Sequence, residues 1–201
     1  QGLLHLTSIE IPNSVTSIGD AAFSGCLNLT SIVVDSGNTK YDSRNGCNAI
    51  IETTSNTLIA GCQNTIIPNS VTCIGDYAFY GSTRLTSIEI GYGVTSIGER
   101  TFGYCTSLTG IQIPNSVTSI GGYTFNGCSS LTSIEIPNSV TIIEYGAFNN
   151  CTNLTSIELS NSITSIGERA FAMCDNLTKI TCLATVPPTI SSNSFPNYSA
   201  D

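Results

Sequence analysis

Histidine occurs once in this chain, as His5, methionine also occurs once, and tryptophan is absent. A single imidazole near the terminus leaves no base for a Ser-His-Asp or Cys-His site and too few nitrogens for a His-rich metal centre. Charge is scarce as well: Asp, Glu, Lys and Arg make up 10% of the 201 residues, against roughly 25% in ordinary soluble domains. Six are Lys or Arg and 14 are acidic, for a net charge of -8. Such a chain lacks the clustered cations that phosphate backbones and anionic lipid surfaces require, so no nucleic-acid partner is expected. No apolar run approaches the roughly 20 residues of a spanning helix, so no membrane insertion of this segment is expected. With no initiator Met and no leader-like apolar segment, the sequence reads as a mature or excised piece.

Ser, Thr, Asn and Gly are abundant, and they recur with a period. LTSI begins at Leu6 and returns at Leu29, Leu85, Leu131 and Leu154, with LTGI at Leu108 and LTKI at Leu177. Cys62 opens a further coil, in which Pro68, Val71, Ile74 and Phe79 match Pro12, Val15, Ile18 and Phe23. Repeat starts therefore fall at 6, 29, 62, 85, 108, 131, 154 and 177, spaced by 23 residues except for the 33-residue unit 29–61.

Apolar residues fill positions 1, 4, 6, 10, 13, 17, 18 and 21 of a coil, as in Leu131, Ile134, Ile136, Val140, Ile143, Ala147, Phe148 and Cys151. The spacing Leu-x-x-Ile-x-Ile predicts a strand with one face inward. Pro-Asn-Ser supplies a turn, Val-Thr-Ser-Ile a second short extended piece, and Asp/Glu-x-Ala-Phe a single helical or 3-10 turn. A lone coil buries about seven such groups at about 1.5–3 kcal/mol each, while ordering its residues costs about 1.5 kcal/mol apiece. One coil cannot stand alone, so neighbours must stack.

Coils that read I-P-N-S-V-T-S-I-G and end A-F-x-x-C resemble the BspA-like leucine-rich-repeat family, and the likeness covers nearly the whole chain. The resemblance implies a leucine-rich-repeat solenoid, a right-handed superhelix, mostly β with short helical or 3-10 turns, forming one domain over 1–201. It also implies an extracellular, cell-surface location and adhesion to a host extracellular or matrix protein or glycan. No catalytic residue, metal site or cofactor carries over. The alternative is a spacer that projects another domain. The segment 41–62 is similar to the irregular coil of bacterial members. Two departures stand out: Glu144 replaces the Gly of other coils, which predicts a local change of turn, and residues 177–201 decay into an irregular C-terminal cap or an irregular last coil, with Pro187 and Pro188.

Nine cysteines include Cys26, Cys105, Cys128, Cys151 and Cys174 at position 21. None forms the tight pairs of a zinc cluster, so a column of buried free thiols is expected. Cys47 and Cys62 are the pair best placed for a disulfide. The segment 35–42 lacks the pattern and final Glu of a calcium loop. Asn28, Asn150, Asn153 and Asn176 begin N-x-T triplets, which matter only in a eukaryotic source. The Thr series at position 2 would suit an ice-binding face, but the turns and glutamates break it.

With positions 1, 4 and 6 inward, position 5 faces out and carries Glu10, Val33, Ile66, Glu89, Gln112, Glu135 and Glu158. Glu89, Gln112, Glu135 and Glu158 are candidate contacts for a basic or mixed partner; paired carboxylates for glycoside hydrolysis are the weaker reading of the same series. The unit 29–61 reads as a hairpin, 49–60, projecting from the stack; it either only covers a sheet edge, the favoured reading, or binds a partner, with Tyr41 and Arg44 before it as residue types favoured at binding hot spots. The turns around Tyr77, Glu99 and Tyr123 come next as candidates.

Overall fold

In the computed structural model, which describes residues 3–196, the repeated apolar positions turn to one side and stack into a β-solenoid with almost no helix. Strand Ser8–Ile11 pairs in parallel with Ser31–Val34, and Ser156–Leu159 with Lys179–Cys182. Cys73–Ile74 pairs with Ser96–Ile97 on a second face, where Ser119–Ile120, Ile142–Ile143, Ser165–Ile166 and Thr189–Ile190 continue as a parallel sheet. Because register matches equivalent residues, each repeat position becomes a column through the stack.

The Asp/Glu-x-Ala-Phe segment is a chain of single turns that do not run on into a helix: the N–H groups of Ala78, Tyr80 and Ser82 donate to the carbonyls of Gly75, Tyr77 and Phe79, three residues back as in a 3-10 turn. The reason lies in two left-handed residues per coil. Position 16 holds Ala21, Tyr77, Arg100, Tyr123, Gly146 and Arg169, and position 20 holds Gly25, Gly81, Tyr104, Gly127, Asn150 and Met173, with φ from 53° to 73°. These reversals aim alternate N–H groups along the stack. Tyr77, Phe79 and Gly81 donate to the carbonyls of Glu99, Thr101 and Gly103, and the pattern repeats from Arg100, Phe102 and Tyr104 to Gly122, Thr124 and Asn126. A regular helix would have spent those donors on its own carbonyls.

The core follows from this lock. Phe79, Phe102, Phe125, Phe148, Phe171 and Phe195 stack face to face with centroids 5.2–5.6 Å apart. Beside them, Cys105, Cys128, Cys151 and Cys174 each donate a thiol hydrogen to the Phe carbonyl of the coil before, at 3.1–3.2 Å. All nine cysteines are free, including Cys47 and Cys62. That pair, the best placed for a bridge, packs in separate hydrophobic clusters as free thiols.

Glu144 does not change the turn. Its N–H donates to Ile120 O at 2.9 Å, as Gly98 does to Ile74 O and Gly167 to Ile143 O at 2.8 Å. Glycine serves close approach here: a Cβ on Gly98 would lie 2.6 Å from the Asp76 nitrogen, and one on Gly167 2.7 Å from Tyr145 N. Glu144 instead faces the Gly121-Gly122 pair, and its carboxylate accepts a bond from Gly122 N–H at 3.0 Å.

The hairpin also corrects the sequence reading. Ala49–Glu52 and Thr57–Gly61 are antiparallel, but they do not project. Thr57–Gly61 pairs with Cys73–Ile74, and the hairpin stands inside the stack between the first two coils and the rest. Ile50 and Ala60 pack toward the earlier coils, whereas Ala49, Ile51 and Leu58 pack toward the later ones, so alternate residues of a strand serve two cores. Residues 177–196 form an irregular last coil, the second of the two expected forms: Phe195 stacks on Phe171, and Ser194 bonds Gly167 O as Thr101 bonds Gly75 O. Its outer apolar residues stay open, with Ile180 44%, Val186 75% and Ile190 52% exposed. The remainder of the expected cap, 197–201, lies outside the described residues.

Candidate functional site

The strand face carries the predicted series in register. Glu89, Gln112, Glu135 and Glu158 are all exposed, and backbone bridges join Gln112 to Glu135 and Glu135 to Glu158. Inward Ile90, Ile113 and Ile136 hold the strands, so every second side chain must face out. The carboxylates thus line up about one strand spacing apart, near 5 Å, and Gln112 relieves the repulsion once.

This face is not uniform. Regular pairing lapses between Ser31–Val34 and Ser156–Leu159, leaving only the two isolated bridges. There a shallow groove of ≈ 340 Å³ opens between Asn69, Glu89, Tyr92, Gln112, Asn115 and Glu135. Ile66 continues beside it, 73% exposed, and Tyr92 is 83% exposed. Sequence reasoning singled out the acidic residues and placed Ile66 in their series, but it missed Tyr92. The signal was present: Tyr92 stands at position 8, where Asn13, Asn69, Asn115, Asn138 and Asn161 stand in other coils.

Threonine hydroxyls next to this face are already committed. Thr30, Thr109, Thr155 and Thr178 donate to the carbonyls of Thr7, Thr86, Thr132 and Thr155 in the preceding coil. The column is a coil-to-coil clamp.

Tyr41 and Arg44 do not join the strand-face series. Tyr41 is buried at 5% exposure, and its hydroxyl accepts the Ile18 N–H at 3.2 Å, so it serves as a core residue in place of an exposed anchor. Arg44 grips Asp42 through two bonds of 2.8 and 2.6 Å and reaches Asn56 at 2.8 Å and Ser70 at 3.1 Å. Burial alone would raise the Asp42 pKa, but the Arg44 guanidinium outweighs it and holds the carboxyl below its ordinary value. With its donors spent inside the chain, Arg44 ties the hairpin to the next coil.

The BspA type leucine rich repeat region matches in six copies, over residues 1–57, 50–131 and 95–200. The chain belongs to the BspA-type leucine-rich repeat family. A leucine rich cell surface protein from Faecalibacterium prausnitzii A2-165 is 34% identical, with a TM-score of 0.80, over 90% of this chain and 48% of its own. A leucine-rich repeat protein from Eubacterium ventriosum is 29% identical, with a TM-score of 0.78, over 87% of this chain and 48% of its own. One from Bacteroides ovatus is 28% identical, with a TM-score of 0.63, over 90% and 46%. The chain thus spans about half the length of these proteins. No curated protein matches it.

In this BspA-type array the repeat consensus is scaffold, and individuality lies where the consensus breaks. Ile66 and Tyr92 are two such breaks, and both border the acidic groove. Among the described residues no group of three or more His, Cys, Asp or Glu side chains converges as a metal-ion site, and no helix is long and apolar enough to cross a membrane.

Proposed function

We propose that this segment is a non-catalytic binding module of an extracellular, cell-surface protein, and that its strand-face groove receives a host extracellular or matrix protein. The observation that carries this reading is the groove itself, where exposed Tyr92 lies beside Glu89 and Glu135 and exposed Ile66 adjoins Glu89. Apolar anchors inside a charged rim suit a partner segment that carries basic residues around an apolar contact. The cell-surface description of the Faecalibacterium protein supports the location.

The test is surface-plasmon binding of the purified protein to a panel of extracellular matrix proteins, comparing wild type with Tyr92→Ala, Glu135→Lys and Arg44→Ala. Saturable binding that weakens with salt, and that falls about tenfold or more in the first two variants, supports the groove. Binding lost only in Arg44→Ala moves the site to the hairpin. A blank panel with an intact fold favours the spacer, which the stacking of coils would equally serve.

A further inference from the structure

The left-handed residues pose a question that packing alone does not answer. At positions 16 and 20 glycine would be free of strain, and Gly146, Gly81 and Gly127 show that this fold accepts it. Yet Tyr77, Arg100, Tyr123 and Arg169 occupy position 16, and Tyr104 position 20, with φ of 53–58°. A large non-glycine residue held there is a sparsely populated conformation, which points to a use for its side chain.

Together with Tyr80 and Tyr145 of the same turns, those side chains form one continuous ribbon. Tyr77 meets Tyr80 with ring centroids at 5.5 Å, Tyr80 meets Tyr104 edge-on at 5.5 Å, and Tyr123 meets Tyr145 at 5.0 Å. The Arg100 guanidinium bridges them, 5.6 Å from the Tyr77 ring centre and 4.7 Å from that of Tyr123, while donating to the Tyr77 hydroxyl at 2.8 Å. Arg169 donates to the Tyr145 hydroxyl at 3.2 Å. From the coil of Tyr77 to that of Arg169 the ribbon crosses four coil spacings, about 20 Å.

The rings are held in place from below. A Cβ on Gly103, Gly127 or Gly146 would come within 2.9, 2.9 and 2.6 Å of the Tyr80, Tyr104 and Tyr123 rings, so each ring rests against a glycine of the next coil. Tyr104 is 44% exposed, and Tyr77, Tyr80, Tyr123 and Tyr145 are half-buried. The result is a preorganised row of aromatic surface edged with hydroxyls.

Charge selects the ligand. Glu99 lies 3.4 Å from Arg100 and Glu168 3.6 Å from Arg169, so each cation has a carboxylate beside it. Asp76 and Glu144 add further negative charge along the same turns. A phosphate-bearing, sulfated or uronic polymer would be repelled. An uncharged sugar chain offers what the ribbon matches: apolar C–H faces for the tyrosine rings and hydroxyls for the neighbouring carboxylates and phenols.

We propose that the Tyr–Arg ribbon is a binding site for a neutral, linear polysaccharide lying along the stack axis. It is independent of the strand-face reading and uses different residues. The test is affinity gel electrophoresis of the intact protein in gels containing arabinoxylan, glucomannan or mixed-linkage β-glucan, with hyaluronan as the acidic counterpart. Retardation by at least one neutral polymer is expected, reduced about tenfold or more in Tyr80→Ala/Tyr104→Ala and retained in Tyr104→Phe, which keeps the ring. Glu135→Lys should bind as wild type does. Thermal unfolding of each variant establishes that the fold persists. Retardation by none of the neutral polymers overturns the proposal, as does retardation by hyaluronan alone or an undiminished shift in the folded double variant.

Discussion

Cys105, Cys128 and Cys151 fill small apolar slots, each donate a weak hydrogen bond to the Phe carbonyl of the coil before, and stay protonated. Burial pushes the Cys128 thiol up to about 12 and raises that of Cys105 well above its ordinary value. Unfolded thiols ionise near 9.0, so above that pH the unfolded chain releases protons that the folded chain retains. Folding stability contributed by these thiols is therefore complete below pH 9 and declines as pH rises toward 12. We predict a fall in the urea midpoint as pH rises from about 9 to about 10; Tyr and Lys begin to titrate in the same range, so a variant must separate their effect from that of the thiols. Cys128→Ser, whose hydroxyl does not ionise there, should flatten the slope; an equal slope in both proteins would show that other groups cause it. Thiolate is the reactive form, so alkylation of the folded protein should modify exposed Cys182 and half-buried Cys26 and Cys73 while sparing Cys105, Cys128 and Cys151 until unfolding.

Among the elements, the hairpin unit shows both how far the sequence could be read and where it could not. Period and inward positions were legible because every coil repeats the same apolar spacing, and so was the outward row Glu89, Gln112, Glu135 and Glu158. The place of the hairpin was not, because a short apolar run such as Ala49–Glu52 fits a strand buried on both sides as well as one standing clear. Nor did the sequence reveal the left-handed residues, since Tyr77 and Arg100 carry no glycine signal. Arg44 was read as an exposed anchor because the sequence does not show that Asp42, Asn56 and Ser70 converge on it. Arg44→Ala should lower stability by about 1–2 kcal/mol, a value reduced for partial solvent exposure. The depressed Asp42 pKa adds stability that is present above the ordinary aspartate range and is lost as pH falls through the lower folded value. Acid titration of the urea midpoint should therefore be shallower in Arg44→Ala than in wild type. Identical acid limbs would mean that the pair does not act as a latch.

For the molecule as a whole, the direction of the bonds between coils matters more than any one contact. The N–H groups of positions 16, 18 and 20 reach toward the next coil, and the Phe stack runs beside them, so each coil is held by its neighbours on both sides. Phe148 is fully buried, 5.3 Å from Phe125 and 5.2 Å from Phe171 between ring centroids. Phe148→Ala should cost about 3–5 kcal/mol, the range for emptying a buried Phe site. In a one-dimensional stack that loss is shared by the two interfaces the coil makes. Hydrogen exchange should speed up at Phe125 and Cys151 together, while Ile32 and Ile50, in the cluster before the hairpin, should change little. Exchange that rises equally in every coil would show one indivisible cooperative unit. An unchanged urea midpoint would contradict the inward column itself.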